Sequence, residues 1–197
     1  MTQFTRLYNN FQPEHYDIYL DINRETKQFN GKTKISGNAL VNNIALHQKN
    51  LQIQSVHINE KEIPFVIDDN ADLIKISTET IGQIDITVTY KATLTDTMMG
   101  IYPSYYELDG VKKQIIGTQF ETSFARQAFP SVDEPEAKAT FDLSIKFDEQ
   151  ANETILANMP EIRTENGVHY FDTTVRMSTY LAVSYTHLRA HETGAYL

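Results

Sequence analysis

The sequence predicts an all-β protein of antiparallel strands, arranged as a sandwich or barrel, and three observations carry that prediction. Apolar residues recur with a period of two in segment after segment. The segments arrive roughly every 8–20 residues with no amphipathic helix between them. Turn-forming residues bound them.

In chain order, Tyr16, Ile18, Leu20 and Ile22 alternate with Asp17, Tyr19 and Asp21, so one face can be buried while the other stays wet. Asn30-Gly31 suits the positive φ angles of a tight turn and predicts a hairpin, as do Asp109-Gly110 and Asn166-Gly167. Leu51, Ile53 and Ser55 interleave with Gln52 and Gln54, and Leu73-Ile74-Lys75-Ile76 repeats the theme. Ile84, Ile86 and Val88 alternate with Asp85 and Thr87 before Tyr90 closes the run. Residues 96–135 read as a long irregular segment, and its aromatic residues Tyr102, Tyr105, Tyr106, Phe120, Phe124 and Phe129 are expected to pack it onto the sheets. Residues 135–140 hint at a single helical turn. Phe141, Leu143, Ile145 and Phe147 then alternate with Asp142, Ser144 and Lys146, residues 168–175 form another strand, and a final strand is expected from near Met177. No composition break, linker or internal repeat divides the chain, which argues against a propeller or solenoid.

Composition narrows the function classes. With 17 Lys and Arg against 26 Asp and Glu, the formal charge is −9, the opposite of the basic footprint of a phosphate-tracking nucleic-acid binder. There is no cysteine, which removes disulfides, thiolate zinc sites and cysteine nucleophiles. No window approaches the roughly 18 apolar residues of a membrane span, and the opening MTQFTRLYNNF lacks a signal-peptide pattern, so the expected location is cytoplasmic.

The motifs that would carry catalysis are missing. HExxH, GxGxxG, GxxxxGKS/T and GxSxG do not occur, and His15, His47, His57 and His169 stand in or beside predicted strands without a partner at ligand spacing. His187, His191 and Glu192 have helical ligand spacing, but they fall in VSYTHLRAHET, residues 183–193. That string resembles the translated read-through of a transposase sequencing adapter, so residues 183–197 are expected to be a non-native tail after a native domain at 1–182. In the carboxylate cluster Asp133-Glu134-Pro135-Glu136, neighbours on a turn rarely flank one bond from opposite sides as a glycosidase pair must. Instead Asp133 or Glu134 is expected to open a helical turn with Pro135 at its first position and Arg126 as a candidate ion partner.

The run GTQFETSFARQAFPSVDEPEAKATF, residues 117–141, resembles the aminopeptidase N family of zinc metallopeptidases. Glu14-His15-Tyr16-Asp17, Met99-Gly100-Ile101-Tyr102-Pro103-Ser104 and Ala157-Asn158-Met159 agree with it, over roughly residues 8–182. The resemblance implies the family's N-terminal domain, a saddle-shaped antiparallel β-sandwich of bacterial type. It also implies a parent enzyme that removes N-terminal amino acids from peptides with one zinc ion. The zinc ligands, and the family's GxMEN motif, belong to a following catalytic domain on which this one would pack, so the chain alone is expected to be inactive, with no catalytic and no metal-binding residue of its own. In the family the TQxE loop reaches into the active site; here it is Thr118-Gln119-Phe120-Glu121. Glu121 is then the carboxylate that receives the substrate's α-ammonium, and Gln119 a neutral acceptor beside it. Alternation places Gln119 and Glu121 on one face and points Phe120 into the sandwich. A different reading makes the same sandwich a free-standing binder of peptides or carbohydrates.

Overall fold

The computed structural model describes residues 6–108, 110–148 and 153–188. Fifteen strands run through them: β1 (Phe11–Asn23), β2 (Gln28–Ala39), β3 (Asn43–His47), β4 (Gln52–Ile58), β5 (Lys61–Glu62), β6 (Phe65–Asp68), β7 (Leu73–Ser77), β8 (Gly82–Thr93), β9 (Gly100–Leu108), β10 (Val111–Gln119), β11 (Thr140–Phe147), β12 (Glu153–Ala157), β13 (Glu161–Glu165), β14 (Val168–Phe171) and β15 (Ser184–Leu188). Only short 3-10 turns interrupt them, at Leu7–Asn9, Ala125–Gln127 and Thr179–Leu181. The predicted all-β class holds.

Three sheets result. Eight strands form the largest, in the order β13-β14-β11-β1-β2-β8-β4-β5; four form a second, β12-β15-β10-β9; three form a third, β3-β7-β6. Period-two alternation explains the large sheet's buried face. Tyr16, Ile18, Leu20 and Ile22 of β1 register with Phe141, Leu143, Ile145 and Phe147 of β11, and through β2 with Ile86, Val88 and Tyr90 of β8. These residues join one continuous apolar cluster with Ile44, Leu46, Ile74 and Ile76 of the small sheet and Ile101, Ile116 and Ile155 of the four-stranded sheet. A crevice lined by Ile18, Leu20 and Leu143 on one side and Thr118, Ala157 and Ser184 on the other marks where the large and four-stranded sheets face each other.

Four expectations need correction. The pairing is antiparallel except between β1 and β11, which run parallel. A tight hairpin forces antiparallel neighbours, but more than a hundred residues lie between these two strands, so no such constraint applies. Asn30-Gly31 is not a hairpin: both residues lie inside β2, and the turn falls earlier, with Lys27 at φ 53°. Asn166-Gly167 does form its predicted turn, with φ of 52° and 75°. Residues 96–135 are not irregular throughout, because β9 and β10 pair residue for residue as a hairpin within them. No strand starts at Met177. That residue makes an isolated bridge to Ala139, and a 3-10 turn follows before β15, whose five residues pair with β12.

Candidate functional site

β10 delivers the Thr118-Gln119-Phe120-Glu121 segment to the rim of the sandwich. Thr118 is pinned at the strand end: its hydroxyl donates to the Ser184 carbonyl at 2.9 Å and accepts the Ser184 N–H at 2.8 Å. Gln119 is the last strand residue, and the chain then coils into a turn closed by the Phe124 N–H on the Phe120 carbonyl at 2.9 Å. The 3-10 turn Ala125–Gln127 continues directly from it.

Burial fixes which way this turn faces. Phe120 is 3% exposed and meets Phe129 edge-on at 5.9 Å, and Phe129 in turn packs against Tyr16 and Phe141. Ala125, Ala128 and Phe129 are also buried, whereas Gln119, Glu121, Thr122 and Ser123 are exposed. The aromatic anchor is thus inside and the polar pair outside, as alternation requires. Gln119 and Glu121 are brought together: the Gln119 side-chain oxygen accepts the Glu121 backbone N–H at 3.2 Å. One lone pair of that oxygen is used by its own loop, which leaves one for a ligand donor. The peptide bond from Glu121 to Thr122 is cis.

Behind the exposed turn lies a buried polar knot. Arg126 Nε donates to Asp133 Oδ2 at 2.9 Å, and an Arg126 Nη donates to the Asp133 carbonyl at 3.1 Å. Thr179 Oγ1 donates to Asp133 Oδ1 at 2.6 Å. The Asp133 N–H donates to His47 Nδ1 at 3.1 Å, while His47 and Ser131 exchange backbone hydrogen bonds. Burial first, and then the Arg126 charge, push the His47 imidazole down to about 4, so it is neutral and its Nδ1 lone pair can accept. Arg126 does pair with the carboxylate cluster. His47 is not an ordinary strand histidine, and its partner 86 positions away left no local signal. The helical turn expected over residues 135–140 is instead an isolated reverse turn, closed by the Ala137 N–H on the Glu134 carbonyl. Its Glu134 carboxylate faces orphan backbone donors of another segment, accepting the Leu7 and Tyr8 N–H groups at 2.8 and 3.2 Å.

Among the described residues no group of three or more His, Asp or Glu side chains could hold a metal ion. His191 and Glu192 lie outside the described residues, and His187 falls within β15. No helix among the described residues is long and apolar enough to cross a membrane.

Comparison with known proteins agrees with the resemblance in residues 117–141. Residues 12–181 match the peptidase M1 N-terminal domain. The chain is 57% identical over 176 residues to aminopeptidase N of Lactobacillus delbrueckii subsp. lactis and 50% identical over 176 residues to that of Lactococcus lactis subsp. cremoris. It is 30% identical over 196 residues to endoplasmic reticulum aminopeptidase 1 of Mus musculus. In each case the match covers 89% of this chain and 21% of the relative, so the chain spans about a fifth of the length of these proteins. With 170 of its 197 residues matched, the chain belongs to the peptidase M1 N-terminal domain family.

Proposed function

We propose that this chain is the substrate-recognising N-terminal part of a zinc aminopeptidase, and that Glu121 and Gln119 receive the free amino terminus of a peptide. The observation that carries the reading is the turn at 120–124, which buries Phe120 and holds Glu121 outward beside Gln119. An exopeptidase must tell a free α-ammonium from a peptide bond, and a carboxylate does so through a charge-assisted hydrogen bond. Here Glu121 is exposed. The shielding that strengthens such a bond would come from the domain that covers this rim in the intact enzyme.

On this reading the zinc ion would be held by that other domain. The chain alone is proposed to be inactive, and the parent enzyme to work in the cytoplasm and to act on peptides. Residues 1–182 are proposed as the native domain and 183–197 as a foreign tail, although 184–188 pair with β12 as β15 and Ser184 holds Thr118. The family match ending at residue 181 supports that boundary.

The test is Glu121→Gln and Glu121→Ala in the full-length enzyme, assayed on an amino-acid anilide. Losing a hydrogen bond to a charged group, about 1.5–3 kcal/mol, lowers kcat/KM by about 10- to 150-fold. Unchanged kinetics would remove Glu121 from substrate recognition.

A further inference from the structure

We propose that Asp133 is a positioning residue for Glu121, a buried acceptor that acts through Arg126 to fix the turn presenting Glu121 and Gln119. The inference rests on the reading of Glu121 given above.

Asp133 does not touch the exposed pair. Its side chain is 1% exposed, against 16% for that of Arg126, and it ties three parts of the chain to one point. Arg126 belongs to the 3-10 turn that begins four residues after Glu121 and grips both the carboxylate and the carbonyl of Asp133, so a planar two-point clamp sets the orientation of that turn. Thr179 holds the other carboxylate oxygen from the turn before β15, and His47 holds the Asp133 backbone from the end of β3. The Arg126 carbonyl accepts the Lys49 N–H at 2.8 Å, which ties the clamped turn back to the same region. Every oxygen of the carboxylate thus has a donor, the condition under which a buried polar network is rigid.

A network like this is a poor way to gain stability, because well-packed apolar residues of similar volume do as well or better. What it offers is a fixed direction. Phe120 anchors one end of the 120–127 segment in the apolar core, and Arg126 anchors the other on Asp133. Glu121 lies between these anchors, one residue after the first. A displacement of about 1 Å in a positioned group can cost up to about 100-fold.

The test uses the full-length enzyme and an amino-acid p-nitroanilide. Asp133→Asn is expected to raise KM about 10-fold while kcat stays within about 3-fold, and to add less than about 2-fold in a Glu121→Gln background. Arg126→Lys, which keeps the charge but cannot span both acceptors, is expected to raise KM in the same way should Asp133→Asn fail to fold. A KM within 2-fold of wild type in the folded variants, beside a raised KM in Glu121→Gln, overturns the inference. So does an Asp133→Asn effect that is confined to kcat and undiminished in the Glu121→Gln background, the pattern of a merely structural residue. If Glu121→Gln itself has wild-type KM and kcat, the reading of Glu121 fails and this inference fails with it, a result distinct from the other two.

Discussion

Replacing Gly31 by Ala tests how the large sheet is packed. Gly31 lies within β2 opposite Tyr90 of β8, and it is not among the residues with positive φ. Its lack of a side chain is used for space: a Cβ there would stand 2.5 Å from the Tyr90 hydroxyl oxygen and closer still to ring atoms Cζ and Cε2. The ring cannot step aside cheaply. It is fully buried, packs edge-on to Phe29 at 6.4 Å, and shares a 3.1 Å hydrogen bond with the Thr33 hydroxyl. Overpacking a core of this kind costs about 1–3 kcal/mol, and displacing the ring forfeits about 1 kcal/mol of hydrogen bonding. The better strand propensity of Ala returns somewhat under 1 kcal/mol. A loss of about 1–3.5 kcal/mol follows, equivalent to a Tm drop of about 2–14 °C for a domain of this size. Urea denaturation of the chain followed by far-ultraviolet circular dichroism reads it. In a Tyr90→Leu background the same substitution should cost less than about 1 kcal/mol, because the obstructing ring is gone. Gly31→Ala within about 0.5 kcal/mol of wild type, or an equal cost in both backgrounds, would refute the packing argument.

Other consequences are sharp enough to measure. The folded-state value of His47, about 4, lies below its ordinary 6.5, so the unfolded chain takes up the proton first. Stability present above pH 6.5 is lost as pH falls towards 4, by up to about 3 kcal/mol. His47→Asn, which retains an acceptor but does not titrate, should flatten denaturation midpoints across that window, and curves parallel to wild type would contradict the assignment. Tyr16→Phe leaves the Val132 N–H, bonded to the Tyr16 hydroxyl oxygen at 3.1 Å, without its partner, and should cost about 1–3 kcal/mol in the same urea experiment. Gly167→Ala should cost about 1–2 kcal/mol through its φ of 75° alone, since nothing lies within 4 Å of the added carbon. The isolated chain should release no product from an amino-acid anilide with or without added zinc, and turnover that scales with its concentration would overturn the division of labour proposed here.

The legible parts of the fold were those in which large apolar side chains mark the period. β1, β8 and β11 announce themselves through Ile, Leu, Phe and Tyr at alternate positions. β2 alternates just as strictly, but its buried positions are Phe29, Gly31, Thr33, Ile35, Gly37 and Ala39, and the small ones hide the pattern. Gly31 misled twice, first as a turn residue and then by masking a strand, because the reason for a glycine there is an aromatic ring 59 positions away. Asp109-Gly110 signalled a hairpin between β9 and β10, but the two strands themselves were obscured by their tyrosines and lysines, which suggest a loop when no partner strand is in view. At the candidate site, the inward Phe120 and the outward Gln119 and Glu121 followed from alternation, whereas the role proposed for the pair comes from family resemblance. The His47 and Thr179 contacts to Asp133 join segments 86 and 46 residues away and could only be seen in three dimensions.

The central claim is that Glu121 reads the positive charge of a peptide's amino terminus. Its most direct measurement compares inhibition of the full-length enzyme by leucinamide and by 4-methylpentanamide, the same molecule without the amino group. Wild type should prefer leucinamide by about 10- to 150-fold more than the Glu121→Gln enzyme does, the worth of one hydrogen bond to a charged group. Equal discrimination in the two enzymes would contradict the account.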